Sequence, residues 1–247
     1  MDIIFAVETN TNNLYMHKFL MILAAVLMLA SCAKKYKIEG SSAISELDGK
    51  KISVKVIKDD SLATVATGTM AHGKFTVKGQ IDSATMANLF IGEDIVIPIV
   101  LEAGEISVDL KAEDLVWGGT ELNETLYKFF MSRDSLQTQL RDIQKMEYEM
   151  TVNGVDEQTI NQRLMAEMQK VSAKEDVLTT SFIKSHYNDA LGVGVFVMLL
   201  SNMQYPVMTP QIEDILTTAP DAFKQHKLVK KYQEDAKQFS EQQNLAK

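Results

Sequence analysis

The sequence is poor in the residues that most often carry chemistry. Its 247 residues include a single cysteine, a single tryptophan and four histidines. One thiol excludes a disulfide within the chain and a paired-cysteine redox motif. No histidine has a partner at metal-ligand spacing, and neither an HExxH nor a GxSxG motif occurs. We therefore expect no catalytic residue, no metal ligand and no cofactor.

Basic residues are also in the minority. The chain has 25 lysines and arginines against 33 aspartates and glutamates, which gives a net charge of −8 at pH 7. Proteins that bind nucleic acid usually carry a basic patch or stripe on the domain that does so. No such patch stands out in this sequence, so we expect no nucleic acid partner.

The only cysteine, Cys32, follows an apolar run. The twelve residues 19–30 carry no charge, and Lys18 precedes them. A basic start, a short apolar core and small residues before a cleavage site are typical of a secretory signal peptide, and the core is shorter than the about 20 residues that span a bilayer. The sequence Leu29-Ala30-Ser31-Cys32 resembles the bacterial lipobox, in which the cysteine receives a diacylglycerol. We therefore predict that Cys32 is a lipid anchor. A buried cysteine in an N-terminal helix is the alternative.

The signal architecture sets the predicted organisation of the chain. Asp2 and Glu8 make a poor basic start, so translation is expected to begin at Met16. The predicted segments are a signal peptide over 1–31, a lipidated tether over 32–35, a β-sandwich domain over 36–118, a helical region over 119–240 and a polar tail over 241–247. We expect the anchor to hold the protein in the bacterial cell envelope, at the outer membrane facing the periplasm.

Polar and apolar residues alternate between residues 36 and 117. Residues 51–57 and 105–110 show the alternation most clearly, and turn signals such as His72-Gly73 separate the alternating runs. Short strands at this spacing predict an antiparallel sandwich or barrel. Pro98 is expected at a bulge or an edge strand, because proline cannot donate a ladder hydrogen bond.

Residues 68–75 resemble a phosphate-binding loop. They match seven of the eight positions of GxxxxGK[ST], but Phe75 replaces the hydroxyl residue that holds magnesium. The following residues alternate like a strand, whereas the loop needs a helix at that point. His72-Gly73 is therefore interpreted as a hairpin turn.

After Gly119 the apolar residues recur at intervals of three and four, which predicts helices. Asn153-Gly154 interrupts the pattern, and Asp156 is suited to cap a second helix. Two long helices joined by a short polar turn pack as an antiparallel hairpin, which we place between residues 122 and 187. The apolar run 190–200 predicts a buried helix, and Thr209-Pro210 and Ala219-Pro220-Asp221 predict two later helix starts.

A few scattered residues have two interpretations each. Eight methionines fall between Met131 and Met208. Thioethers bind copper(I) in exported proteins, but the position of these methionines on apolar stripes favours core packing. Trp117 is interpreted as a plug between sheet and helices, or as an interface residue. His186 and His226 are expected at the surface or its boundary.

Several segments of the β region resemble a domain of unknown function, number 4369. They are Tyr36-Lys-Ile-Glu-Gly40, Leu47-Asp-Gly-Lys50, Gly73-Lys-Phe75 and Leu101-Glu-Ala-Gly104. This domain is frequent in lipoproteins of Gram-negative anaerobes. Residues 119–123 and 182–196 resemble the helical region that follows it there. In many relatives a thioredoxin-like oxidoreductase domain with a WCxxC motif comes next, and this chain ends at Lys247, where that domain would begin. The resemblance implies no redox residue here.

Two functions are consistent with these observations. The first, which we prefer, is a non-enzymatic lipoprotein that binds a ligand or partner. The second is a non-catalytic accessory of thiol-disulfide handling, which would hold a separate thioredoxin-like protein against the helical hairpin. The expected partners are thus the membrane, through the lipid anchor, and a protein at the hairpin.

Overall fold

The computed structural model describes residues 34–58 and 61–245, so the predicted signal peptide and Cys32 lie outside the described residues. The strands are β1 (Lys34–Ser42), β2 (Lys51–Lys58), β3 (Ser61–Thr69), β4 (Lys74–Ile81), β5 (Thr85–Ile91), β6 (Ile95–Leu101), β7 (Gly104–Leu110) and β8 (Leu115–Gly118). The α-helices are α1 (Glu121–Val152), α2 (Glu157–Ser185), α3 (Ala190–Ser201), α4 (Pro210–Thr218), α5 (Asp221–Lys224) and α6 (Lys227–Leu245). Strands come first and helices follow, which confirms the predicted α+β class.

The strands form two four-stranded sheets. The first sheet has the order β4-β1-β7-β8 and the second has the order β3-β2-β5-β6. Neighbouring strands are antiparallel except β1 and β7, which run parallel. A parallel pair needs a long crossover connection, and strands β2 to β6 supply it. The predicted antiparallel sandwich is therefore confirmed apart from this one pair.

The two sheets enclose a common apolar core. Ile38 and Ile106 of the first sheet and Leu89 and Ile99 of the second are fully buried in it. Ile38, Ile106 and Leu89 alternate with more exposed neighbours along their strands, as expected for a sheet with one face toward the core, whereas Ile99 is followed by the buried Val100 at the end of β6. The period of two in the sequence therefore marks this face correctly.

The segment that resembles a phosphate-binding loop is a hairpin turn. His72 and Gly73 have φ of 51° and 69°, and the backbones of Ala71 and Lys74 bridge across the turn. Positive φ at both central residues is the geometry of a tight β-hairpin. Strand β4 follows directly, so the interpretation as a turn is confirmed. Pro98 lies on the edge strand β6, also as predicted.

Strand β1 begins before the predicted domain boundary at residue 36. Lys34 pairs with Ile81 and Lys35 with Gln80 of β4. The tether predicted over residues 32–35 therefore overlaps the first strand. The chain between Cys32 and the sheet consists of one residue, Ala33.

The helices α1 and α2 form the predicted antiparallel hairpin. The turn between them contains Asn153 and Gly154, and Asp156 Oδ1 accepts a hydrogen bond of 3.0 Å from the backbone N–H of Thr159. This is the capping role expected of Asp156. Arg133 and Glu175 join the two helices through a salt bridge of 2.7 Å. The second helix ends at Ser185, short of the predicted limit.

The apolar helix α3 is the centre of a second core. Its residues Leu191 and Phe196 are fully buried against the other helices. Among residues 34–58 and 61–245 no helix is long and apolar enough to cross a membrane. Helix α4 begins with Pro210 after the Thr209 cap, as predicted, whereas Pro220 is itself the cap of α5.

Aromatic rings join the sandwich to the helices. The Trp117 ring lies edge-on to Tyr127 and Phe130 of α1, with centroid distances of 5.0 and 5.6 Å. Phe129 packs against Phe182 of α2 at 4.3 Å. Trp117 is buried. The predicted role of Trp117 as a plug is confirmed.

The first turn of α1 is tied to the edge strand β6 by polar contacts. Asn123 is fully buried; its side chain accepts a hydrogen bond of 2.9 Å from the Val100 N–H and donates one of 2.7 Å to the Val100 carbonyl. Glu102 Oε1 accepts from the backbone N–H of Leu122 at 2.9 Å, which satisfies a free group at the helix start. The Asn123 amide thus pairs with β6 as a neighbouring strand would.

The prediction that the methionines of the helical region pack in the core is wrong in part. Met150 is buried as predicted, but Met131, Met165 and Met168 are about half exposed, so these three do not pack in the core. A hairpin of only two helices has outer faces that no third element covers. Helix α6 continues to Leu245, and residues 241–245 of the predicted polar tail are exposed on it.

Candidate functional site

A pocket lies where the helical region meets the second sheet. Its volume is about 730 Å³, within the range of about 300–1,000 Å³ typical of small-molecule sites. Strands β2 and β5 form its floor, helix α3 forms one wall, and the start of α6 closes one end. Because it is built from both halves of the chain, we take it as the candidate functional site.

The floor of the pocket is the outer face of the second sheet. Ala87 and Leu89 of β5 point into the sandwich core, so the alternate residues Met86 and Asn88 face the helices. Asn88 is paired with Lys55 of β2 in the strand register. The floor therefore combines a thioether, an amide and an ammonium group.

The wall is the face of α3 that packs on β5. Val193 and Val197 lie four residues apart on this helix and both line the pocket. Gly194 allows the close approach, because a Cβ at this position would overlap the Met86 side chain. The pocket wall is therefore aliphatic, and it approaches the floor closely at Gly194, which has no side chain.

The carboxylate in the pocket, Asp189, is already used by the fold. Its Oδ1 accepts a hydrogen bond of 2.8 Å from the Leu191 N–H and so caps α3. Its Oδ2 lies 2.7 Å from Nδ1 of His186, whose ring packs on Phe182. With both oxygens engaged, Asp189 is a positioning group for the helix start. His186 was expected at the boundary, and it is partly buried.

His226, an exposed residue at the start of α6, also lines the pocket. The Leu228 N–H donates to its Nδ1 at 3.4 Å, which assigns the proton of the neutral ring to Nε2. Desolvation lowers the pKa of His226 from its ordinary value of 6.5, so the neutral form predominates at neutral pH. Ser201, also in the lining, donates its hydroxyl to the Val197 carbonyl at 2.8 Å. The hydroxyl of Ser201 is therefore not arranged as a nucleophile.

Lys55 brings a positive charge to the floor of the pocket. Its Nζ lies 4.1 Å from the centre of the Phe90 ring, a distance typical of a cation–π contact. In the described part of the chain it makes no salt bridge with a carboxylate. The site therefore offers a positive charge that no carboxylate among residues 34–58 and 61–245 pairs.

The sequence did not single out most of these groups. It named His226 but not Lys55, Met86, Asn88 or Asp189, because only the packing of α3 on β5 brings them together. Cys32, the one site residue predicted, lies outside the described residues. Within residues 34–58 and 61–245 no group of three or more His, Cys, Asp or Glu side chains is placed to hold a metal ion.

The comparisons with known proteins identify one segment. Residues 36–126 match the model of a family described as "Domain of unknown function (DUF4369)". The matched segment contains most of β1, all the strands from β2 to β8 and the first turn of α1, and so includes Asn123 and its contacts with β6. It is less than half of the 247 residues, and residues 182–196 lie outside it. No curated protein matches the chain.

Proposed function

We propose that this protein is a non-enzymatic, lipid-anchored binding protein of the bacterial cell envelope, and that the pocket between α3 and the second sheet is its ligand site. The observation that carries the binding role is this pocket of about 730 Å³, which has a mainly aliphatic wall and a lysine that no carboxylate of the described chain pairs. An aliphatic wall that faces placed polar groups is typical of small-molecule sites.

The lipobox-like sequence ending at Cys32 supports the proposed anchor. Strand β1 begins at Lys34, so an acylated Cys32 would place the sandwich close to the bilayer. Two residues of chain reach at most about 7 Å. The outer membrane, with the protein facing the periplasm, is the location we propose.

The anchor is tested by replacing its acceptor. In cells fed an alkyne analogue of palmitate, we expect the wild-type protein to be labelled and the Cys32→Ser variant to remain unlabelled and unprocessed. The thiol is the only group in the chain that forms the required thioether. Ala33→Ser, which alters the next residue and keeps the thiol, is the control and should be labelled. Label on the Cys32→Ser protein would refute the proposal.

A second candidate is a non-catalytic accessory of thiol-disulfide handling. Its support is the outer surface of the α1–α2 hairpin, where Tyr148, Val152, Met165 and Met168 are each more than half exposed. Apolar residues exposed on a helical surface suit contact with a protein partner. In this candidate the hairpin would hold a separate thioredoxin-like protein near the membrane.

Both candidates predict that the protein itself does not exchange disulfides. In a turbidimetric insulin assay with dithiothreitol, we expect the Cys32→Ser form to give the protein-free rate. Exchange needs an attacking thiolate, and a methionine thioether has no proton to lose. A thioredoxin added to the same mixture is the positive control. A rate above the protein-free value would show that the non-enzymatic assignment is wrong.

A further inference from the structure

The pocket has the surface that an alkyl chain requires. Met86 on the floor and Val193, Val197 and Met198 on the wall present methylene, methyl and thioether groups. Flexible thioethers adapt to an irregular apolar ligand. Among the described residues that line the pocket there is no phenylalanine, tyrosine or tryptophan. Apart from the His226 imidazole, a nucleobase or another flat ring therefore finds no aromatic side chain in this lining on which to stack.

The charges of the pocket indicate an anionic head group. Lys55 projects from the floor with only the Phe90 ring against its ammonium group. Asp189 is the one carboxylate among the described residues of the lining, and both of its oxygens are occupied, by Leu191 and His186. A ligand carboxylate or phosphate would therefore meet an ammonium group that no carboxylate of the described residues pairs, and such charge-assisted hydrogen bonds are among the stronger ones.

The pocket also lies near the start of the first strand. Lys34 is paired with Ile81, and Ser83, two residues further along the chain, lines the pocket. Paired Cα atoms are about 5 Å apart and each residue adds at most about 3.5 Å, so Ser83 lies within roughly 12 Å of Lys34. If Cys32 is the membrane anchor, this part of the pocket is close to the bilayer, where free fatty acids and lysolipids are concentrated.

We propose that the pocket binds a single-chain anionic amphiphile, with the alkyl chain between α3 and β5 and the anionic head at Lys55. The proposal deepens the ligand role proposed above and relies on the Cys32 anchor only for the source of the ligand. The shared chemistry is one alkyl chain with one anionic group. A fatty acid and an anionic lysophospholipid both have it.

The test is equilibrium binding to the purified chain beginning at residue 32 and carrying Cys32→Ser, since both cores consist of later residues. The assay measures displacement of a bound dansylated fatty acid by three competitors, each used below its micelle concentration. The competitors are laurate, 1-lauroyl-lysophosphatidylglycerol and uncharged 1-dodecanol. We expect both anions to displace the probe at least tenfold better than dodecanol. Their relative affinities identify the fatty acid or the lysolipid as the better ligand.

Two pocket variants and one control locate the binding. Lys55→Gln should weaken both anions about tenfold and leave dodecanol unchanged, because it removes the charge and keeps the stem. Val197→Trp should weaken the binding of all three ligands because the indole fills the pocket. If circular dichroism shows that this variant does not fold, Val193→Asn is tested in its place. Lys78→Gln, on strand β4 of the first sheet, should bind like the parent. No displacement by either anion, or equal losses at Lys55 and Lys78, would overturn the proposal while leaving the lipidation test unaffected.

Discussion

Replacing Asn123 with leucine is expected to lower the free energy of unfolding by about 4 kcal/mol, because two buried backbone groups lose their partners at once. The Asn123 side chain satisfies both the N–H and the carbonyl of Val100, at 2.9 and 2.7 Å, and both residues are fully buried. Water cannot replace the amide at this edge of β6. Leucine has nearly the same size, so the loss measures the hydrogen bonds and not a cavity.

The measurement is urea unfolding followed by the fluorescence of Trp117, the only tryptophan in the chain. Trp117 packs against α1, so its emission reports the junction directly. Asn161→Leu is the matched control, since Asn161 is exposed on α2 and should change stability by less than about 0.5 kcal/mol. Equal midpoints and slopes for the two variants would show that the Asn123 amide does not support the edge strand.

Gly192→Ala should destabilise the protein by about 3 kcal/mol, the upper range of overpacking in a well-packed core. Gly192 is in the first turn of α3, and a Cβ there would overlap the backbone carbonyl of His186. The carbonyl belongs to the turn that Asp189 fixes by capping the helix, so it has little freedom to move. The helix start would have to shift away from the turn.

Gly194→Ala is the comparison on the same helix. Its Cβ would overlap only the Met86 side chain, which is flexible and can adopt another rotamer. Both alanines gain about 1 kcal/mol of helix propensity over glycine. We therefore expect Gly194→Ala to be close to neutral in thermal and urea unfolding, and the difference between the two variants gives the cost of the backbone overlap. A Gly194→Ala loss as large as that of Gly192→Ala would contradict this.

The match to the family model has a structural explanation at its C-terminal end. The matched residues 36–126 extend into α1, past the boundary predicted at 118/119 from the change of period. Asn123 completes the edge of β6, and Glu102 of the sandwich accepts hydrogen bonds from the first turn of α1. The first turn of the helix is thus part of the sandwich in its hydrogen bonding, although its sequence pattern is helical.

Local sequence determined the elements of this protein. The period of two marks the buried face of strands such as β4 and β7, and the hairpin turn follows from His72-Gly73 and the strand after it. The helix starts follow from Asp156 and Thr209 because a capping side chain bonds to an amide three residues away. Each of these signals depends on neighbours within a few residues, and such signals can be read from one chain.

Tertiary structure alone determined how the elements pack against one another. The parallel pairing of β1 with β7 joins residues 68 positions apart, and no local pattern records it. In the sequence Asn123 is an ordinary polar residue of a helix, and its role becomes visible only in the structure, where β6 lies beside it. Lys55, Asp189 and His226 come from three distant segments, and they form one pocket because α3 packs on the outer face of β5. Long-range packing sets that arrangement. The apolar periodicity of an element indicates which of its faces is buried, but it does not specify the element against which that face packs.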